Sequence, residues 1–196
     1  MTFSIVARSA DGSAWGVAVA SKFLAVGAAV PAAAAGVGAL ATQAWANLGY
    51  RPDGLALLRA GRSADQTLAA LTEADEGRET RQAGIVDAAG TAATFTGSEC
   101  HPWAGGVFGP GYAIQGNILL GAEVVEAMER SWRDSAPDAP LGRRLLAALS
   151  SGDRAVGDRR GRQSAALLVV TAGGGYGGGS DVLIDLRVDD HPAPVV

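Results

Sequence analysis

Lys22 is the sole lysine in a chain whose other fifteen basic residues are arginines. It follows Ser21 at the end of Trp15 to Ser21, a run too apolar for a solvent-facing edge. A cation there can lower the pKa of a neighbouring hydroxyl and steady a developing negative charge, although a lysine at a strand end is more often a solvated charge. Gln43 and Asn47 bracket Trp45, and Gln115 and Asn117 form a second pair of amides. Such side chains donate to an oxyanion or orient an amide substrate, or else satisfy exposed backbone groups. Arg159, Arg160 and Arg162 precede Gln163 and Ser164, so a guanidinium fork is available to a substrate carboxylate. The same cluster also reads as a solvated turn or an anchor for Asp158. The candidate substrate contacts are therefore Ser21, Gln43, Gln115, Arg160, Arg162 and Ser164.

Two tempting patterns are set aside. Cys100 and His101 adjoin, but neighbours on a strand point to opposite faces and do not make a catalytic pair. The glycine run from Gly173 to Gly179 lacks the Gly-Lys-Ser/Thr ending and following helix of a phosphate loop, so it reads as a flexible hairpin connection.

The elements that must hold these residues follow from periodicity. Phe3, Ile5 and Ala7 alternate with Ser4, Val6 and Arg8, and Asp11-Gly12 turns the chain into a second strand, Trp15 to Ser21. Val26 to Val30 and Val37 to Gln43 continue as strands. From Pro52 the period becomes helical, with Leu55 and Leu58 before Gly61 and Leu68 and Leu71 after it. Ser63 and Gln66 form a capping box for the second of these helices, which ends near Asp75. Arg81 to Asp87 and Thr91 to Thr96 form a hairpin, and Tyr112 to Leu119 is a further strand. Helices over Glu123 to Trp132 and Leu141 to Leu149, the latter ended by Gly152, precede the closing strands Ser164 to Thr171 and Val182 to Val188. With each sheet face needing cover, this α+β order fits a four-layer αββα sandwich formed as a single domain over residues 1–196.

Composition narrows the classes. Hydrophobic residues at 48% and charged residues at 18% suit a globular core, and a net charge of −4 argues against a nucleic-acid partner. One cysteine and two histidines give no zinc pattern, and no metal or other cofactor is expected. The start lacks a signal peptide, and Val26 to Ala41 carries Pro31 and three glycines, so a cytoplasmic protein without a membrane partner is expected.

Six segments in order, residues 1–8 (MTFSIVAR), 16–23 (GVAVASKF), 41–47 (ATQAWAN), 102–104 (PWA), 115–118 (QGNI) and 158–165 (DRRGRQSA), carry a family resemblance. Together they resemble the bacterial and archaeal domain of unknown function 1028 family, placed among the N-terminal-nucleophile hydrolases beside proteasome subunits and amidases. The resemblance implies an amidohydrolase acting on a small amide, in which Thr2, freed of Met1, supplies both nucleophile and α-amino base. Lys22 would then give electrostatic support and Asn47 or Asn117 an oxyanion donor, in a homo-oligomer. Two other readings stand beside it: Thr2 merely begins an edge strand, and the protein is a non-catalytic binder of a small anionic metabolite. A nucleotide-binding reading of the glycine run ranks behind both.

Overall fold

The structure, a computed structural model, describes residues 1–155 and 161–195. The chain opens with the hairpin β1 (Thr2–Arg8) and β2 (Ala14–Ser21). A single helical turn α1 (Val26–Ala29) leads into β3 (Pro31–Ala34) and β4 (Gly38–Ala44). Helices α2 (Tyr50–Arg59) and α3 (Ala64–Glu73) follow, then β5 (Arg81–Asp87), β6 (Ala92–Thr96), β7 (Gly105–Gly109) and β8 (Tyr112–Asn117). Helices α4 (Glu123–Asp134) and α5 (Leu141–Ala155) precede β9 (Ser164–Thr171) and β10 (Val182–Val188). The fold is a mixed α+β one, with two sheets, antiparallel throughout, ordered β10-β9-β2-β1-β8-β7 and β3-β4-β5-β6.

The period-two pattern of β1 decides how the larger sheet is covered, because successive side chains must enter different cores. Phe3, Ile5 and Ala7 join Met128, Leu145 and Leu149 of α4 and α5. Val6 faces the other way and packs with Val17 and Val19 against Ala39, Ala41 and Val86 of the smaller sheet. The far side of that smaller sheet, through Leu40 and Ile85, receives Leu58, Leu68 and Leu71 of α2 and α3. Thr2 and Ser4 share the register of Val6, so β1 delivers them to the space between the sheets.

The capping box is formed: Gln66 N–H donates to Ser63 Oγ, and the Ser63 N–H donates to the Gln66 side chain. Val26 to Val30, expected as a strand, is instead the turn α1 and its C-cap. Its amides find tertiary partners, Ala25 N–H on the Asp189 carbonyl and Val26 N–H on Ser164 Oγ. Gly27 permits this approach, since a Cβ there would lie 2.6 Å from that of Ala166. Strand β7 has no counterpart in the sequence pattern, because Gly-Gly-Val-Phe-Gly carries too few side chains to display a period. Helix α5 runs through Gly152 to Ala155 rather than stopping there.

Candidate functional site

Thr2 does not begin an edge strand. Strand β1 has a neighbour on each side, and its register places Ser21 of β2 and Asn117 of β8 opposite Thr2. All three line a cavity of about 390 Å³ whose walls include Lys22, Trp45 and Cys100. Thr2 Oγ1 and Ser21 Oγ are 2.8 Å apart, and Ser21 Oγ donates to the Met1 carbonyl at 2.8 Å. A serine hydroxyl has one proton, so with that proton on Met1 the Thr2 hydroxyl is the donor to Ser21. The Lys22 backbone N–H also donates to the Met1 carbonyl, at 3.1 Å. Two donors thus converge on the acyl oxygen attached to Thr2.

Asn117 is 1% exposed and donates through Nδ2 to Gln82 Oε1 at 3.0 Å. An amide nitrogen carries two hydrogens, which leaves one beyond that bond on a residue that walls the cavity. The Lys22 ammonium is exposed and donates to the Arg162 carbonyl at 3.3 Å, at the rim. Phe23 and Trp45, 57% and 68% exposed, give the mouth an aromatic edge. Ala44 and Ile118 line the same cavity with φ of 65° and 55°. Positive φ is uncommon outside glycine and costliest for the β-branched Ile118, so two non-glycine residues of this kind at one cavity mark a place where the surrounding structure enforces its shape.

Cys100 and His101 lie in a loop rather than on a strand, and both line this cavity, so the opposite-face argument does not apply to them. The Cys100 thiol donates to the Arg81 carbonyl at 3.3 Å, and burial pushes its pKa up. Both disfavour the thiolate, which is the nucleophilic form.

The other candidate residues are placed elsewhere. Gln43 and Gln115 are buried between the sheets: Gln115 Nε2 donates to Ser4 Oγ at 2.5 Å, Ser4 Oγ to Gln43 Oε1 at 2.7 Å, and Gln43 Nε2 to Gln82 Oε1 at 2.8 Å. Gly84 makes room for this ladder, since a Cβ there would come within 2.1 Å of Gln115 Oε1. Asn47 stands before α2, where Oδ1 accepts from Gly49 N–H at 3.0 Å and Nδ2 donates to Asp75 at 3.0 Å. Ser164 donates to the Phe23 carbonyl and accepts from Val26 N–H, clamping the α1 turn. Arg160, with Asp158 and Arg159, lies outside the described residues. Gln82, whose side chain accepts from Gln43 and Asn117, carries no sequence signal beyond its place in a strand.

Arg162 grips Asp153 through Nε and also donates from Nη2 to the Asp153 carbonyl at 2.8 Å. The Asp153 side chain is 6% exposed, so this fork satisfies a buried carboxylate of α5 rather than facing the cavity. Arg162→Met should lower the unfolding free energy by about 1–3 kcal/mol through the unpaired carboxylate. Equilibrium urea unfolding measures it, and Asp153→Asn in the same background should recover part of the loss.

Asp75 accepts from Arg81 Nε at 2.9 Å, from Asn47, and from Gly77 N–H at 2.9 Å. The Arg81 guanidinium, followed by these amides, holds its carboxyl well below the usual carboxylate range. The unfolded chain therefore takes up this proton first. The stabilisation is complete above the ordinary aspartate value near ~3.9 and is lost as pH falls below it toward the folded value. Asp75→Asn should be less stable at neutral pH and show a shallower decline of melting temperature in acid.

A larger hollow of about 620 Å³ lies at the other end of β1, beside Ser9, Leu141 and Ile184. It is walled mainly by apolar groups and contains none of the hydroxyl and amide groups gathered around Thr2. Among the described residues no cluster of three or more His, Cys, Asp or Glu side chains is placed to hold a metal ion, and no helix is long and apolar enough to cross a membrane.

Against known proteins, the model of a family of unknown function, DUF1028, matches residues 2–196. The chain belongs to this family. The crystal structure of the DUF1028 protein SPO2555 from Silicibacter pomeroyi is 34% identical and superposes with a TM-score of 0.88, over 99% of this chain and 84% of that one. Anbu (ancestral beta-subunit) from Yersinia bercovieri is a distant likeness, 14% identical with a TM-score of 0.43 over 97% of this chain and 88% of that one. No curated protein matches the sequence. DUF1028 membership thus brings a fold shared with a solved relative.

Proposed function

We propose that this DUF1028 protein is an amidohydrolase of the N-terminal-nucleophile type, its layers forming an αββα sandwich, with Thr2 as nucleophile once Met1 is removed. The observation that carries the reading is the convergence of Ser21 Oγ and Lys22 N–H on the Met1 carbonyl, the acyl oxygen next to Thr2. While Met1 remains, the Thr2 nitrogen is an amide and no base. Removal of Met1 yields an α-amine within the same residue as the hydroxyl, and it frees both donors for the acyl oxygen of a substrate. Thr2 Oγ1 attacks the substrate carbonyl and the amine takes the hydroxyl proton. The oxyanion is held by Ser21 and Lys22 N–H with Asn117 Nδ2 as a further donor. Collapse expels the leaving amine, protonated by the Thr2 ammonium, and water then hydrolyses the ester on Thr2. The Lys22 ammonium at the rim favours a substrate carrying a carboxylate, and Phe23 and Trp45 favour an apolar portion.

The second reading, a binder of a small anionic metabolite, rests on Met1 itself, which is 4% exposed and packed in the core beside Phe3 and Leu119. A chain that keeps Met1 has the cavity and its cation but no free α-amine on Thr2. The test is an N-terminal extension with a protease site ending directly before Thr2. Amide hydrolysis across a panel of small N-acyl substrates should appear only after cleavage, with the chain mass reporting Thr2 as first residue. Hydrolysis by the uncut chain, or none by the cut chain while ligands still bind, overturns the catalytic reading.

A further inference from the structure

We propose that β10 is a dimerisation edge, onto which the β10 of a second copy of this chain adds antiparallel about a two-fold axis at Leu186. This goes beyond the reading of the Thr2 cavity and does not depend on it. Strand β10 ends the six-stranded sheet, with β9 on one side and, among the described residues, no strand on the other. It is seven residues long and without proline, and it exposes apolar side chains, Leu183 at 50%, Leu186 at 62% and Val188 at 38%, while Asp185 and Arg187 alternate with Ile184, Leu186 and Val188. Such an edge recruits another strand unless it is blunted. The irregularity between Val182 and Ile184 blunts its first residues and leaves Ile184 to Val188 regular.

The hydrogen-bonding groups on this edge can be assigned. Thr171 N–H donates to the Asp181 carbonyl, so Thr171 directs its backbone toward β10. Strand β9 pairs with β2 without interruption, and alternate residues Val169, Leu167 and Ala165 therefore do the same. Their partners Ile184, Leu186 and Val188 are committed to β9. The N–H and C=O groups of Asp185 and Arg187 point outward, available to another strand.

Charge then selects one register. An axis at Leu186 sets Asp185 opposite the partner's Arg187 and Arg187 opposite the partner's Asp185, so the outward backbone groups bond where opposite charges meet. An axis at Asp185 or at Arg187 would oppose like charges. A slip of one residue would place the outward groups against residues already bonded within each sheet. The same axis sets Leu186 against the partner's Leu186 and Ile184 against the partner's Val188. Leu186 and Val188 line an apolar groove with Leu146 of α5, itself 44% exposed, so the interface continues from the sheet edge onto the helix above it. Arg187, now paired with the neighbouring Asp189 at 3.0 Å, is half-exposed and has only to swing across.

Sedimentation equilibrium on the full chain at micromolar concentration should give the mass of two chains. Arg187→Asp, which opposes two carboxylates, should weaken the dimer by roughly tenfold or more, and Leu186→Lys should do likewise. The exchanged pair Asp185→Arg with Arg187→Asp should restore it. In the native chain, amide exchange at Asp185 and Arg187 should slow as concentration rises. A single-chain mass at every concentration, exchange at these amides that ignores concentration, or a dimer indifferent to Arg187→Asp overturns the proposal. An exchanged pair that melts like the native chain but stays a single chain overturns the register.

Discussion

With Met1 removed, Thr2→Ala is expected to lower amide turnover by about 10³-fold or more, since the neighbouring Ser21 hydroxyl has no α-amino base of its own. Cys100 does not fill the gap, because its thiol donates to the Arg81 carbonyl and burial disfavours its thiolate. Cys100→Ala should therefore leave turnover unchanged. Thr2→Ser retains the hydroxyl and should keep most of the rate. The fold should tolerate Thr2→Ala with a loss of about 0.5–1.5 kcal/mol, because the deleted group makes one hydrogen bond, to Ser21. Ser21→Ala removes an oxyanion donor without removing the nucleophile, so its expected deficit is smaller, on the order of 10²-fold. Turnover in the native chain should climb as pH rises through about 8, where an α-amino group gives up its proton and becomes a base. Stopped or continuous assays on mass-verified protein check each value. A Thr2→Ala chain that hydrolyses the same amides at the native rate places the chemistry elsewhere.

What the sequence discloses and what it withholds divide along the distance over which each feature is determined. The alternation of Phe3, Ile5 and Ala7 with Ser4 and Val6 is a property of consecutive residues, and the two cores on either side of β1 follow it. Ser63 and Gln66 cap α3 within four residues, and β9 keeps the boundaries its apolar run suggests, Ser164 to Thr171. The neighbours of Thr2 come from positions 21 and 117, and their types, a hydroxyl and an amide at strand ends, were visible while their meeting was not. Roles set wholly by tertiary partners were hidden. Arg162 reads as a carboxylate-gripping fork, and it does grip one, but the carboxylate is Asp153 of the same chain. Asn47 reads as an oxyanion donor and is instead tied to Asp75 and Gly49. Cys100 and His101 escaped because a loop, unlike a strand, imposes no alternation on its side chains. The turn α1 has no local signature, being built from Val, Gly and Ala, and is decided by Asp189 and Ser164 arriving from the far end of the chain.

The costliest single change to the fold should be at Gln82, a residue with nothing in the sequence to single it out. Its side chain is fully buried between the two sheets. Oε1 accepts from Gln43 Nε2 at 2.8 Å and from Asn117 Nδ2 at 3.0 Å. Nε2 lies within bonding distance of the Gly116 carbonyl at 2.8 Å, Thr96 Oγ1 at 2.9 Å and the Gly105 carbonyl at 3.2 Å. Gln82 thus links β4 and β6 to β7 and β8, joining the smaller sheet to the larger where no backbone ladder does. Gln82→Leu keeps the volume and deletes every polar atom, which orphans two buried amide donors at about 1–3 kcal/mol each. Added to the lost donors for Gly116 and Thr96, the expected destabilisation is roughly 3–5 kcal/mol, at the exceptional end for one substitution. Ser4→Ala, which removes one hydroxyl from the same ladder but leaves Gln82 in place, should cost visibly less. Urea unfolding should show the Gln82→Leu midpoint displaced far below that of Ser4→Ala, with the slope unchanged if the sheets still separate in one step. Asn117 supplies the link to the cavity: with its anchor gone, a donor proposed for the oxyanion loses its orientation. Gln82→Leu should then reduce turnover in the fraction that remains folded, and full turnover in that fraction would show that Asn117 needs no such support.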